Sequence, residues 1–89
     1  MITAIVFVHV KPDQIPEVAQ QIANIEGVSE VYSVTGRIDL FVMIRVRTFE
    51  EVADVVSDRI SKVPGVLDTT THLAFRAFSQ HDLDSTFSL

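Results

Sequence analysis

Two stretches decide the fold: Ile2-Thr3-Ala4-Ile5-Val6-Phe7-Val8-His9-Val10 and Leu40-Phe41-Val42-Met43-Ile44-Arg45-Val46-Arg47. Both are rich in β-branched and aromatic residues, which favours extended backbone. In the first, Ile2, Ala4, Val6, Val8 and Val10 are all apolar; in the second, Leu40, Val42, Ile44 and Val46 are. Successive side chains of a strand point to opposite faces, so each set belongs to one face, and that face is expected to lie under helices. Lys11-Pro12-Asp13 closes the first stretch, and Ile15, Val18, Ala19, Ile22 and Ala23 then recur at helical spacing. Asp13 is the N-cap candidate, and Pro16 is tolerable in a first turn, where its missing N–H costs nothing. Gly27 ends this element. Residues 28–35 read as a strand and Gly36-Arg37-Ile38-Asp39 as a turn. Beyond the second stretch, Thr48-Phe49-Glu50-Glu51 has capping-box spacing, with Phe49, Val52, Ala53, Val56 and Ile60 on one helical face. Pro64-Gly65 stops that helix, and residues 67–78 alternate as a last strand.

A shift of 38 residues overlays the two halves: Val18 on Val56, Ile22 on Ile60, Gly27 on Gly65, and Ile2, Ala4, Val6 and Val8 on Leu40, Val42, Ile44 and Val46. The register holds through strand, helix and stop, so the chain is a doubled β-α-β unit. Right-handed crossovers then give an α+β, ferredoxin-like βαββαβ fold. Its four-stranded antiparallel sheet carries both helices on one face and the first and third strands at its centre. Two such sheets are expected to stack as a dimeric αβ sandwich.

The 89 residues are 47% hydrophobic and 21% charged, with three Gly and three Pro, which argues for one folded domain and against disorder. The domain is expected over residues 1–78, with a C-terminal tail over 79–89. The chain has no Cys, which excludes disulfides, thiolate metal sites and a cysteine nucleophile. Net charge is −5, and the seven cations (Lys11, Arg37, Arg45, Arg47, Arg59, Lys62, Arg76) are scattered singly. Binding to nucleic acid or an anionic membrane needs clustered cations, so neither is an expected partner. A signal peptide would need a basic region before its apolar stretch, and the nine residues of this run do not span a bilayer as a helix; the expected location is the cytoplasm.

The other face of the sheet is unusual. It collects Thr3, Ile5, Phe7 and His9 from the first strand, and Phe41, Met43, Arg45 and Arg47 from the third. The last strand adds Thr70, His72, Ala74, Arg76 and Phe78. A solvated face carries polar residues at its centre, whereas here the centre is Ile5, Phe7, Phe41 and Met43 with Ala74 beside them. An apolar centre with a polar rim is the anatomy of an interface, so these four residues are assigned to a homodimer contact. RNA binding is the competing reading for Phe7 and Phe41. Residues 37–44 lack the glycine and aromatic pair of RNA-recognition motifs, and the acidic charge opposes it. Catalysis would have to use His9, His72 or His81. His9 and His72 could approach each other across neighbouring strands, but no third ligand recurs at metal spacing, and a rim histidine bonded to a carboxylate or carbonyl is the simpler expectation. Neither a metal nor a cofactor is expected.

Thr35-Gly36-Arg37-Ile38-Asp39, followed after the second helix by Pro64-Gly65-Val66 and Thr69-Thr70-Thr71, closely resembles the effector-binding domain of Lrp/AsnC-type regulators. This module is also called the regulation-of-amino-acid-metabolism domain. The resemblance covers about residues 2–78 and implies a regulatory binding domain rather than an enzyme. Its effector would be a small molecule, an amino acid, held between dimers of a higher homo-oligomer. Carried over residue by residue, the site is Gly36 and Asp39 from the turn with Thr69 and Thr71 from the last strand. A glycine turn lets a ligand reach bare backbone, a carboxylate pairs with an α-ammonium group, and threonine hydroxyls bind a carboxylate or amide. The structural alternative is that Gly36 supplies a positive φ, Asp39 caps the turn and the threonines supply β-propensity. The family's regulators carry an N-terminal helix-turn-helix domain. None precedes residue 1 here, so the match is to a stand-alone form, for which DNA binding does not carry over and a full-length regulator is a further expected partner. Position 38 is Ile where an aromatic is common. ACT domains share the layout, but their Asp-x-x-Gly turn is absent from Lys11-Pro12-Asp13-Gln14-Ile15.

Overall fold

Doubling dictates the architecture, and the computed structural model, which describes residues 1–78, shows it. In chain order the elements are β1 (Ile2–Val10), α1 (Ile15–Ala23), β2 (Val28–Ser33), β3 (Leu40–Val46), α2 (Phe49–Ala53) and β4 (Val66–Leu73). The sheet order is β2-β3-β1-β4 with all pairs antiparallel, so β1 and β3 are central. Ile5 pairs directly with Met43, its own repeat mate 38 residues on, which places the internal two-fold axis at the middle of the sheet.

The apolar sets on the helix side form the core. Ala4, Val6, Val8, Val10, Leu40, Val42, Ile44 and Val46 are buried together with Val18, Ile22, Val52, Val55, Val56 and Ile60. Each large aliphatic side chain fully withdrawn from water contributes about 1.5–3 kcal/mol, and this layer offsets the entropy of ordering both crossovers. Gly65 ties α1 to the start of β4. Its φ is +102°, and a Cβ there would lie 2.8 Å from Val18 Cγ2 and 2.4 Å from Gln14 Oε1. The side chains of Gln14 and Val18 therefore occupy the space that a Cβ at position 65 would need, and the positive φ favours glycine there as well.

Several boundaries differ from the sequence expectation. Asp13 does not cap α1: it sits in a 3₁₀ turn (Pro12–Gln14), and the N-cap position is Gln14, which makes no side-chain cap bond. Thr48 does cap α2, accepting from the Glu51 N–H at 3.2 Å, while the Glu51 carboxylate accepts from the N–H of Arg47, one residue short of a closed capping box. The second crossover is not a uniform helix. After Ala53 it widens into a π turn (Asp54–Arg59) and tightens into a 3₁₀ turn (Ile60–Lys62). A π turn adds a residue per turn, so the consecutive Val55 and Val56 are both buried; Phe49, at the start of α2, is 64% exposed. β2 stops at Ser33 rather than residue 35. β4 stops at Leu73 rather than 78: its paired register with β1 ends at Ala4 opposite Leu73, and beyond it Ala74 N–H still donates to the Thr3 carbonyl at 3.0 Å. Ala74, expected on the interface face, is exposed beyond the strand's end. Among the described residues, no helix is long and apolar enough to cross a membrane.

Candidate functional site

The turn between β2 and β3 lies at the end of the sheet where β1 finishes and β4 starts. Gly36 has φ +107°, the left-handed region that side chains disfavour, yet a Cβ built on it would meet nothing within 4 Å. Glycine is thus required by the backbone path and leaves open space above the turn. Asp39 holds the turn to β1: its N–H donates to the Val8 carbonyl at 3.1 Å and its Oδ2 accepts from the Val10 N–H at 2.9 Å. Among the described residues its Oδ1 has no hydrogen-bond partner.

His9 provides a second tie. Its Nδ1 faces Asp68 Oδ1 at 2.5 Å, and its Nε2 faces the Arg37 carbonyl oxygen at 2.7 Å. Both partners are acceptors, and only the imidazolium donates from both nitrogens. The Asp68 carboxylate first, then the Arg37 carbonyl, raise the His9 pKa above its ordinary value. One ring therefore links β1 to the root of β4 and to the turn beside Gly36.

His9 and His72 are not brought together. His72 lies opposite Ile5, with its ring centroid 5.0 Å from that of Phe7. The rim reading of His9, bonded to a carboxylate and a carbonyl, describes what the side chain does. His81 lies outside the described residues.

Thr69 and Thr71 share one face of β4, as expected, but it is the helix-side face: they pair with Val8 and Val6. Thr71 lines a groove with Phe49, Val52, Ala53, Val56, Ser57 and Leu73, and neither Gly36 nor Asp39 borders it. Gly36 and Asp39 sit on the β3 side of β1, the threonines on its other side. Within one chain the four residues do not converge on one cavity.

The opposite face is uncovered by helices and carries Ile5, Phe7, Phe41 and Met43, all half-buried by one another. Phe7 and Phe41 pack at 5.6 Å between ring centroids, and Tyr32 extends the row at 6.4 Å from Phe41. With His72, an aromatic row crosses all four strands: Tyr32, Phe41, Phe7, His72. Alternation within one strand does not single out Tyr32; pairing Ser33 with Leu40 is the signal that places it opposite Phe41.

The fold and the pinned glycine turn define a class, small ferredoxin-like βαββαβ domains, and sequence comparison identifies the family. The family model of the Lrp/AsnC ligand binding domain matches residues 3–83, so the chain belongs to that family. The HTH-type transcriptional regulator YugG of Bacillus subtilis is 37% identical over 84 residues, covering 91% of this chain and 50% of that protein. The crystal structure of TTHA0845 from Thermus thermophilus is 41% identical, with TM-score 0.84, covering 90% of this chain and 100% of that one. The regulator NMB0573 of Neisseria meningitidis, solved in complex with L-Met, shares the fold at 16% identity and TM-score 0.79, covering 89% of this chain and 53% of that one. The chain spans about half the length of the curated relatives it matches.

Proposed function

We propose that this chain is an effector-binding, oligomerising regulatory domain without catalytic activity, which acts in the cytoplasm and takes an amino acid as its ligand. The observation that carries the reading is the turn itself: open space over Gly36 beside an Asp39 carboxylate with one oxygen anchored and the other available. That arrangement suits an α-ammonium group held against bare backbone. Because Thr69 and Thr71 lie across β1 from the turn, the ligand is completed by threonines of another copy, between subunits of a homo-oligomer. The copies first join through Ile5, Phe7, Phe41 and Met43.

Thermal-shift measurement against the amino acids tests the ligand. One present at 100 times its Kd adds about 2.7 kcal/mol of stability, and Asp39→Ala abolishes the shift. If no amino acid moves the midpoint, or Asp39→Ala responds like wild type, the site assignment fails. The separation of the turn from the threonines favours one second reading, a ligand-free assembly module that modulates a full-length regulator; the same screen distinguishes the two. Phe41→Glu places a charge at the centre of the uncovered face and should dissociate the dimer. Light scattering with an unchanged mass would remove that interface.

A further inference from the structure

We propose that His9 is a proton-operated latch on the turn between β2 and β3: the imidazolium holds the crown of that turn by the Arg37 carbonyl, and the neutral ring lets it go. The latch stands on the geometry around His9. Where the turn takes a ligand, as proposed above, binding becomes pH-dependent, and only that consequence rests on the ligand reading.

The turn is fastened at its roots and bare at its crown. At the roots, Val34 N–H donates to the Asp39 carbonyl at 3.1 Å and Asp39 N–H to the Val8 carbonyl at 3.1 Å, while Val10 N–H donates to Asp39 Oδ2 at 2.9 Å. Between these roots, residues 35–38 make no backbone–backbone hydrogen bond among the described residues, and Thr35, Gly36 and Arg37 are exposed. Gly36, with nothing within 4 Å of its Cβ position, adds no packing in their place. Among the described residues, one hydrogen bond reaches the crown: His9 Nε2 to the Arg37 carbonyl oxygen at 2.7 Å.

That bond depends on a proton. Nδ1 of the same ring faces Asp68 Oδ1 at 2.5 Å, so both ring nitrogens meet acceptors. The imidazolium donates to both, whereas the neutral ring has one N–H and one lone pair and must give up a partner. The carboxylate is the stronger acceptor, and a lone pair turned toward an anion is repelled. The neutral ring therefore keeps its N–H on Asp68 and turns a bare Nε2 toward the Arg37 carbonyl. Strand pairing sets His9 opposite Asp68 in either state, so the part free to move is the turn. The charged groups facing the ring are Asp68 of β4 and Asp39 of the turn. The Asp68 carboxylate first, then the Arg37 carbonyl, with Asp39 adding its charge, favour the imidazolium, so the latch opens above the ordinary value of 6.5. The side chain is 37% exposed, which leaves the ring open to solvent protons.

Nuclear magnetic resonance on the full chain tests the latch without any ligand. As pH rises through the measured midpoint of the His9 ring, the order parameters of the Gly36, Arg37 and Ile38 amides should fall from about 0.85 toward 0.6 or lower. The Asp39 amide, bonded to Val8, should stay rigid. His9→Asn should make the crown indifferent to pH. If that variant does not fold, Asp68→Asn decides: it removes the anion and should move the ring midpoint and the crown transition to lower pH together. A crown equally rigid on both sides of the ring midpoint overturns the proposal, as does an Asp68→Asn variant that moves the ring midpoint alone. Calorimetric titration with each amino acid then reads the consequence. A crown held in place a tenth of the time binds about tenfold more weakly, so affinity should fall by about that factor above the midpoint. Equal affinity on both sides overturns the coupling. If no amino acid binds at either pH while the crown still follows His9, the ligand reading of the turn fails and the latch stands.

Discussion

The two edges of the sheet are built in opposite ways. β2 is six residues long, its register shifts between Val28 and Glu30, and Glu30 is tied to the Tyr32 hydroxyl at 2.8 Å. A short, bulged, charged strand is a poor template for further pairing. β4 is eight residues long, regular from Asp68 to Leu73, and carries three consecutive threonines between exposed leucines. The two strands occupy the same place in the repeat unit and follow the same kind of glycine stop, yet one edge is short and bulged and the other is longer and regular. The difference teaches that a doubled unit can keep the same core pattern in both halves while its two edge strands differ.

The largest expected effect removes what both edges share. Ile44 is fully buried beneath β3, and Ile44→Ala should destabilise the fold by about 2–5 kcal/mol, measured by urea unfolding at fixed protein concentration. Amide exchange should then rise along β2 and β4 alike. Destabilisation confined to one edge would mean that the edges do not hang on a common core.

A smaller effect separates the two sides through their glycines. Gly65→Ala at the root of β4 adds a contact with buried Val18 to a positive φ, and should cost about 1–3 kcal/mol. Gly36→Ala, beside β2, carries the φ cost alone, about 1 kcal/mol, because its Cβ meets nothing. The comparison is broken if the Gly36 variant unfolds at the lower urea concentration.

The smallest effect is titratable. His9 joins the root of β4 to the turn after β2, and its folded pKa is raised by Asp68 and the Arg37 carbonyl above the ordinary 6.5. A raised folded pKa means that the tie contributes fully below about 6.5 and is lost as pH rises through the folded value. Wild-type stability should therefore decline relative to His9→Asn as pH rises from about 6.5 through the folded value. Parallel profiles for the two proteins would show that the tie is energetically silent.

The fold was legible because the 38-residue repeat constrains strand, helix and stop together, so no single weak signal had to carry it. The apolar character of the sheet face that no helix covers was legible from alternation alone. Legibility failed where a partner decides the outcome. Val55 is buried only because the crossover widens into a π turn, a hydrogen-bond shift that apolar spacing does not encode. β4 ends at Leu73, where its paired register with β1 stops at Ala4, which nothing in Phe75, Arg76 or Phe78 announces. The His9–Asp68 pair spans 59 positions, and neither residue is distinctive in its local context.

The sequence by itself determined which faces are apolar, where each element turns back and which family the turn resembles, because these follow from periodicity and local backbone preference. Only the tertiary structure decided that Gly36 and Asp39 lie across β1 from Thr69 and Thr71, and that an aromatic row spans the whole sheet. The physical reason is strand register. It is set by pairing between distant segments, and it determines both the face of each side chain and the direction of each backbone N–H.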